Sequence, residues 1–245
     1  MKRMLSSLAI LTALAAPAWS AEEKVTFGNG GSGLLVTPAG KGPSPAVLVI
    51  QEWWGLDEWV KDQARALAKE GYVALAVDLY RGKVTNKQEE AHQFMSGLSS
   101  DQAMGDLKAA FALLATRADV KKDRIGSIGW CMGGRYSLAL ATEEPRLAAA
   151  VAYYGAAPTD EAAIARITAP VLGNYGGDDK GPSPEAVRAF EAAMKKAGKK
   201  IDVKIYDGAP HAFANPNNPW GGYRETAAKD AWVRTSAFFA ANLKK

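Results

Sequence analysis

Gly129-Trp130-Cys131-Met132-Gly133 holds the only cysteine of the chain. Gly-x-Cys-x-Gly at the end of an apolar run has the form of a nucleophile elbow, with a thiol where a serine hydroxyl is usual. Such a strand-to-helix turn needs glycine on both sides, because a Cβ there would collide with neighbouring backbone. It would set the thiol at a helix N-terminus, where partial positive charge favours an anion. The Met132 N–H would then point where an oxyanion forms. Downstream stand the pair Asp178 and Asp179, then His211, with 48 residues from 131 to 179 and 32 from 179 to 211. Nucleophile, acid, histidine is an order found in hydrolytic triads. In it the histidine moves the proton and the aspartate fixes its tautomer. Glu52 lies between the apolar run AVLVI and Trp53-Trp54, so burial should raise its pKa.

Other roles for these residues are limited by count. A single cysteine closes no disulfide within its own chain, and an inert buried thiol is the alternative to a working one. His92 and His211 are the only histidines and lie far apart in sequence, so neither a metal nor an organic cofactor is expected. His92 sits in a polar helical stretch and reads as surface.

Strands and helices must alternate to bring these groups together. Residues 46–50, 73–77, 125–129, 147–153, 169–175 and 201–206 read as strands, several of them continuously apolar as in a sheet covered on both faces. Helices are expected over 57–70, over 86–118 as two pieces broken near Ser99-Ser100-Asp101, and over 133–142, 184–198 and 224–243. The last should bury Ala228, Trp232, Phe239 and Leu243. Residues 24–36 add one or two antiparallel edge strands. The pattern is one α/β domain over 21–245 around a mainly parallel central sheet flanked by helices. Functional groups gather at the carboxyl ends of such strands, and each of the reactive residues above follows one.

At 245 residues and 48% hydrophobic, the chain can bury one sizeable core. Residues 1–20 carry Lys2 and Arg3, an apolar stretch over 5–16 and Ala18-Trp19-Ser20, the pattern of a signal peptide cut after Ser20. Its removal takes two positive charges, lowering the net charge from +4 to +2. That mild surplus, without a basic stripe, excludes a nucleic-acid binder, and no later apolar run would span a bilayer. An exported monomer, periplasmic or secreted, is expected.

Six stretches, QEWWGL, GYVALAVDLYRG, GWCMGG, AVAYYG, YGGDDKG and YDGAPHAFAN, follow one another over most of the mature chain. With them the sequence resembles the dienelactone hydrolases (carboxymethylenebutenolidases), a family with the α/β-hydrolase fold and a Cys-His-Asp triad. The resemblance implies Cys131 as nucleophile, His211 as the histidine and Asp179 as the acid, three residues beyond Gly176. It gives Glu52 the part of accepting the thiol proton as substrate binds, and makes the N–H groups of Trp53 and Met132 the oxyanion hole. Arg81, Tyr80, Trp54 and Tyr154 become the substrate-binding candidates. One departure concerns charge. The lactone-cleaving members place an arginine four residues after the histidine, where this chain has Asn215; Arg224 is the available substitute. The implied reaction is hydrolysis of a small-molecule ester or lactone through a cysteine acyl-enzyme. A thioesterase or acyltransferase on the same residues, and a non-catalytic binding or thiol-sensing protein, are the alternatives.

Overall fold

The structure, a computed structural model, describes residues 19–28, 30–40 and 42–245. The leader expected over 1–20 lies outside the described residues except for Trp19 and Ser20, which open the first strand. That strand, β1 (Trp19–Phe27), and β2 (Gly31–Pro38) form an antiparallel hairpin at one edge. Then come β3 (Ser44–Ile50), α1 (Glu58–Lys69), β4 (Val73–Asp78), α2 (Gln88–Gly97), α3 (Ser100–Thr116), β5 (Val120–Trp130) and α4 (Met132–Glu143). The chain closes with β6 (Ala149–Tyr153), α5 (Glu161–Arg166), β7 (Val171–Gly176), α6 (Pro184–Lys196), β8 (Ile201–Tyr206) and α7 (Glu225–Leu243).

Among the described residues the eight strands make one sheet in the order β1-β2-β4-β3-β5-β6-β7-β8. β2 runs antiparallel to β4, and from β4 to β8 every pairing is parallel. The central strands are apolar on both sides because both faces are covered. On β3, Leu48 and Ile50 belong to the core cluster on the α3 and α4 side, while Val47 and Val49 belong to the cluster on the α1 and α7 side.

Helix boundaries follow local chemistry. The Asp57 carboxylate accepts from the Val60 N–H at 2.9 Å to start α1, and Ser99 accepts from Gln102 at 3.1 Å to divide α2 from α3. α6 begins with Ser183 as cap and Pro184 in the first turn, where a missing N–H costs nothing.

Three features depart from the sequence reading. α5 is unanticipated; it is too short to show a period and is held by Asp160, which accepts from Ala162 and Ala163. β5 starts at Val120 rather than 125: Val120 is buried, but the polar residues 121–123 that follow it are exposed, and continuous burial begins only at Ile125. The buried stripe of α7 is Ala231, Thr235, Phe239 and Leu243, at a spacing of four. Ala228 and Trp232 are half-buried. An indole N–H needs a partner, and that of Trp232 finds Glu70 at 3.1 Å at the edge of the core.

Candidate active site

β5 ends at Trp130 and α4 begins at Met132, so Cys131 is the whole of the turn. Its φ of 53° and ψ of −115° lie where a side chain is strained, a cost that persists only when the surroundings enforce it. The surroundings here are backbone. A Cβ on Gly129 would overlap the Gly133 carbonyl, and one on Gly133 would overlap the carbonyls of Ile50 and Gln51. The Cys131 N–H is bound to the Tyr153 carbonyl at 3.0 Å. Cys131 is partly exposed. Met132 is the first residue of α4, whose N–H has no acceptor within the helix.

Asp179 and His211 come from the loops after β7 and β8. The Asp179 carboxylate is buried, with one oxygen accepting from the Gly181 N–H at 2.8 Å and the other 2.8 Å from His211 Nδ1. An acid at Nδ1 places the ring proton there and leaves Nε2 as the free nitrogen. Asp178, by contrast, is exposed. Burial alone pushes the His211 pKa down, but hydrogen bonding to Asp179 and to Cys131, with the charges of both, lifts it to about 10. Cys131 and His211 thus line one pocket, and Asp179 holds the His211 ring.

Glu52 follows β3 and faces the same pocket as Cys131 and His211. Its carboxyl is buried and takes two neutral donors: the Tyr154 hydroxyl at 3.1 Å on Oε1 and the Asn215 amide at 2.7 Å on Oε2. Desolvation raises its pKa to about 7 against the lowering effect of both hydrogen bonds. Tyr154 is itself at a positive φ of 39°, with its ring edge-on to His211 at 5.1 Å. The Asn215 contact was not foreseeable from residue type. Position 215 read only as a missing arginine, and nothing in the local sequence signals a partner 163 residues away.

The pocket has a volume of about 220 Å³, and its lining is mostly apolar, with Trp53, Trp54, Met95 and Trp220 beside the polar groups. The three indoles meet edge-on, with centroids 4.9 to 5.5 Å apart. Trp220, in the loop after His211, is 53% exposed and covers the other two.

The remaining candidates lie elsewhere. Arg81 and Tyr80 line a separate cavity beside α2. The Arg81 guanidinium is engaged by Asp106 on α3 at 2.8 and 2.9 Å. The Tyr80 hydroxyl is directed at the Met132 sulfur at 3.2 Å, so it packs under the elbow. Arg224 donates to the carbonyls of Gly208 and Tyr223, and it too is outside the pocket. Among the described residues no group of three or more His, Cys, Asp or Glu is arranged to hold a metal ion, and no helix is long and apolar enough to cross a membrane.

Comparison with known proteins gives the same architecture and sharper relatives. A protein of Methylorubrum extorquens assigned as a carboxymethylenebutenolidase is 38% identical over 216 residues, spanning 82% of this chain and 74% of the relative. A solved structure from Klebsiella pneumoniae, assigned as a dienelactone hydrolase, superimposes with a TM-score of 0.81 at 29% identity. It covers 90% of this chain and 98% of its own. A dienelactone hydrolase-like promiscuous phosphotriesterase from metagenomic libraries gives 0.83 at 26% identity, over 91% and 98% of the two chains. The model of the dienelactone hydrolase family matches residues 32–243. The chain therefore belongs to the dienelactone hydrolase family, with the α/β-hydrolase fold, and is a hydrolase acting on esters or lactones.

Proposed function

We propose that the hydrolysis runs through a thioester formed on Cys131. The observation that carries this is one arrangement: a cysteine on a strained, backbone-enforced turn shares a pocket with an imidazole whose Nδ1 is held by a buried carboxylate at 2.8 Å. Glu52 takes the thiol proton, and the Cys131 thiolate, beside a protonated His211, attacks the substrate carbonyl carbon, so that the new C–S bond places negative charge on the carbonyl oxygen. The N–H groups of Met132 and Trp53 receive that charge. Collapse breaks the bond to the alcohol oxygen, which takes its proton from His211. A water molecule then gives a proton to His211 and attacks the thioester; the C–S bond breaks, the acid is released, and the thiolate recovers its proton from Glu52. Asp179 keeps the ring oriented and stabilises its charge in both halves.

Glu52 supplies a second proton site in the same pocket. With a pKa of about 7 it can hold or release a proton near neutrality, which suits it to take the thiol proton when substrate enters and to return it when product leaves.

The test is hydrolysis of p-nitrophenyl acetate and a dienelactone by the wild type beside Cys131→Ala. The variant should fall to background, and mass spectrometry of the quenched wild type should find the acyl group on Cys131. Equal rates in both proteins would remove Cys131 from the mechanism.

A further inference from the structure

The charge balance of the pocket discriminates among esters. Among the described residues neither a lysine nor an arginine lines it. Of the cations close in sequence to its walls, Arg81 is bound to Asp106, Arg224 to two backbone carbonyls, Lys83 lies over the face of Phe94 at 5.5 Å, and Lys180, next to Gly181, lines a different cavity. His211 is the one lining group able to carry positive charge, and it is bound to the Asp179 carboxylate. Against it stand Glu52 and a surface of three indoles.

Behind Glu52, at 1% exposure, Asn215 decides what the carboxyl rests on. Its amide nitrogen donates to Glu52 at 2.7 Å, and its amide oxygen accepts from the Asn217 N–H at 2.8 Å. Both ends of the amide are satisfied, and neither brings charge. A substrate carboxylate entering here would leave water, approach Glu52 and find no unpaired cation, which is unfavourable on both counts. An uncharged acyl chain loses nothing on entry and gains contact with the indoles.

We propose that this site selects uncharged esters or lactones, with the group beyond the reacting carbonyl lying against Trp53, Trp54 and Trp220. In this account Asn215 sets the selection by completing the hydrogen bonds of Glu52 without adding positive charge. The proposal rests on the hydrolytic reading above and names its substrate class.

The experiment compares kcat/KM for p-nitrophenyl hexanoate and the p-nitrophenyl half-ester of adipic acid, which differ by a terminal carboxylate. Wild type should favour the hexanoate by about 100-fold, the scale for one uncompensated charge in a partly desolvated site. Asn215→Arg should narrow that ratio at least about tenfold. Trp220→Arg alters a side chain that is 53% exposed, so it brings a cation to the same pocket with little risk to folding, and it should narrow the ratio as well. A wild-type ratio near one, or one favouring the half-ester, overturns the selection while leaving hydrolysis intact. A ratio unmoved by either arginine overturns the electrostatic account. Turnover of neither ester, with no acyl group found on Cys131, is the distinct failure of the hydrolytic reading, and the proposal falls with it.

Discussion

Two carboxyl groups flank Cys131, and they are partnered in opposite ways. Asp179 takes a backbone N–H and an imidazole that can become positive, and its presence helps raise the His211 pKa to about 10. Glu52 takes a phenol and an amide, neither of which can match its charge, and burial raises its own pKa to about 7. In the proposed mechanism one carboxylate holds a proton carrier and the other serves as one. Environment rather than residue type separates the two roles, as it does wherever paired acids serve acid and base chemistry.

If that division is real, the Asp179 side should be the more sensitive. His211→Ala is expected to lower kcat/KM by about 1,000-fold, within the usual span for loss of a general acid–base group. Asp179→Asn keeps the shape but can present an N–H to Nδ1 in place of an acceptor, and a loss smaller than that of His211→Ala is expected. Glu52→Gln should cost about tenfold, because a neutral amide can still accept from Asn215 while losing the proton. Steady-state kinetics on one neutral ester ranks the three. A Glu52→Gln loss equal to that of His211→Ala would erase the distinction.

Stability against pH sharpens the comparison on the Glu52 side. Its folded pKa of about 7 lies above its ordinary value of 4.5, so the native state binds the proton more tightly than the unfolded chain. The contribution is therefore present below about 4.5, declines as pH rises towards about 7, and is lost above it. The full span is about 3 kcal/mol. Urea denaturation at pH 5 and pH 8 should show Glu52→Gln gaining on the wild type at the higher pH by up to that amount. A difference that stays constant with pH would mean that Glu52 is ionised throughout and that its two donors suffice to hold the charge.

The unequal legibility of the two sides has the same physical origin. Cys131, Asp179 and His211 each sit directly after a strand, and the glycines around the cysteine are demanded by backbone contacts that any such turn makes. Local sequence carries that information. The burial stripe of α1 was legible for a similar reason: Trp59, Val60, Ala64, Leu67 and Ala68 repeat with the helix and are the residues buried. The partners of Glu52 are set by tertiary placement across 102 and 163 residues, and no period encodes them. Arg81 shows the converse error. The family resemblance made it a candidate for binding substrate, but a buried acid of the protein, Asp106, holds it instead. In α7 a regular spacing was visible, yet the face was misjudged by part of a turn because Trp232 is amphipathic and belongs at a rim.

The smallest effect concerns the phenol alone. Burial, and then the charge of Glu52, raise the Tyr154 pKa well above its ordinary value, so its hydroxyl remains a donor across the working range. Tyr154→Phe removes the 3.1 Å bond to Glu52 Oε1 and leaves that oxygen without its donor in a buried site. When Glu52 is ionised the loss should be about 1–2 kcal/mol; when it is protonated the oxygen needs the donor less, and the loss should fall below about 1 kcal/mol. The same substitution should raise the Glu52 pKa further, since one of the two bonds that lower it is gone. Urea denaturation of Tyr154→Phe at pH 5 and pH 8 reads both consequences, with the larger loss at pH 8. An equal loss at the two pH values would show that the hydroxyl serves packing rather than the charge of Glu52, and only Asn215 would then separate this carboxyl from an unpartnered one.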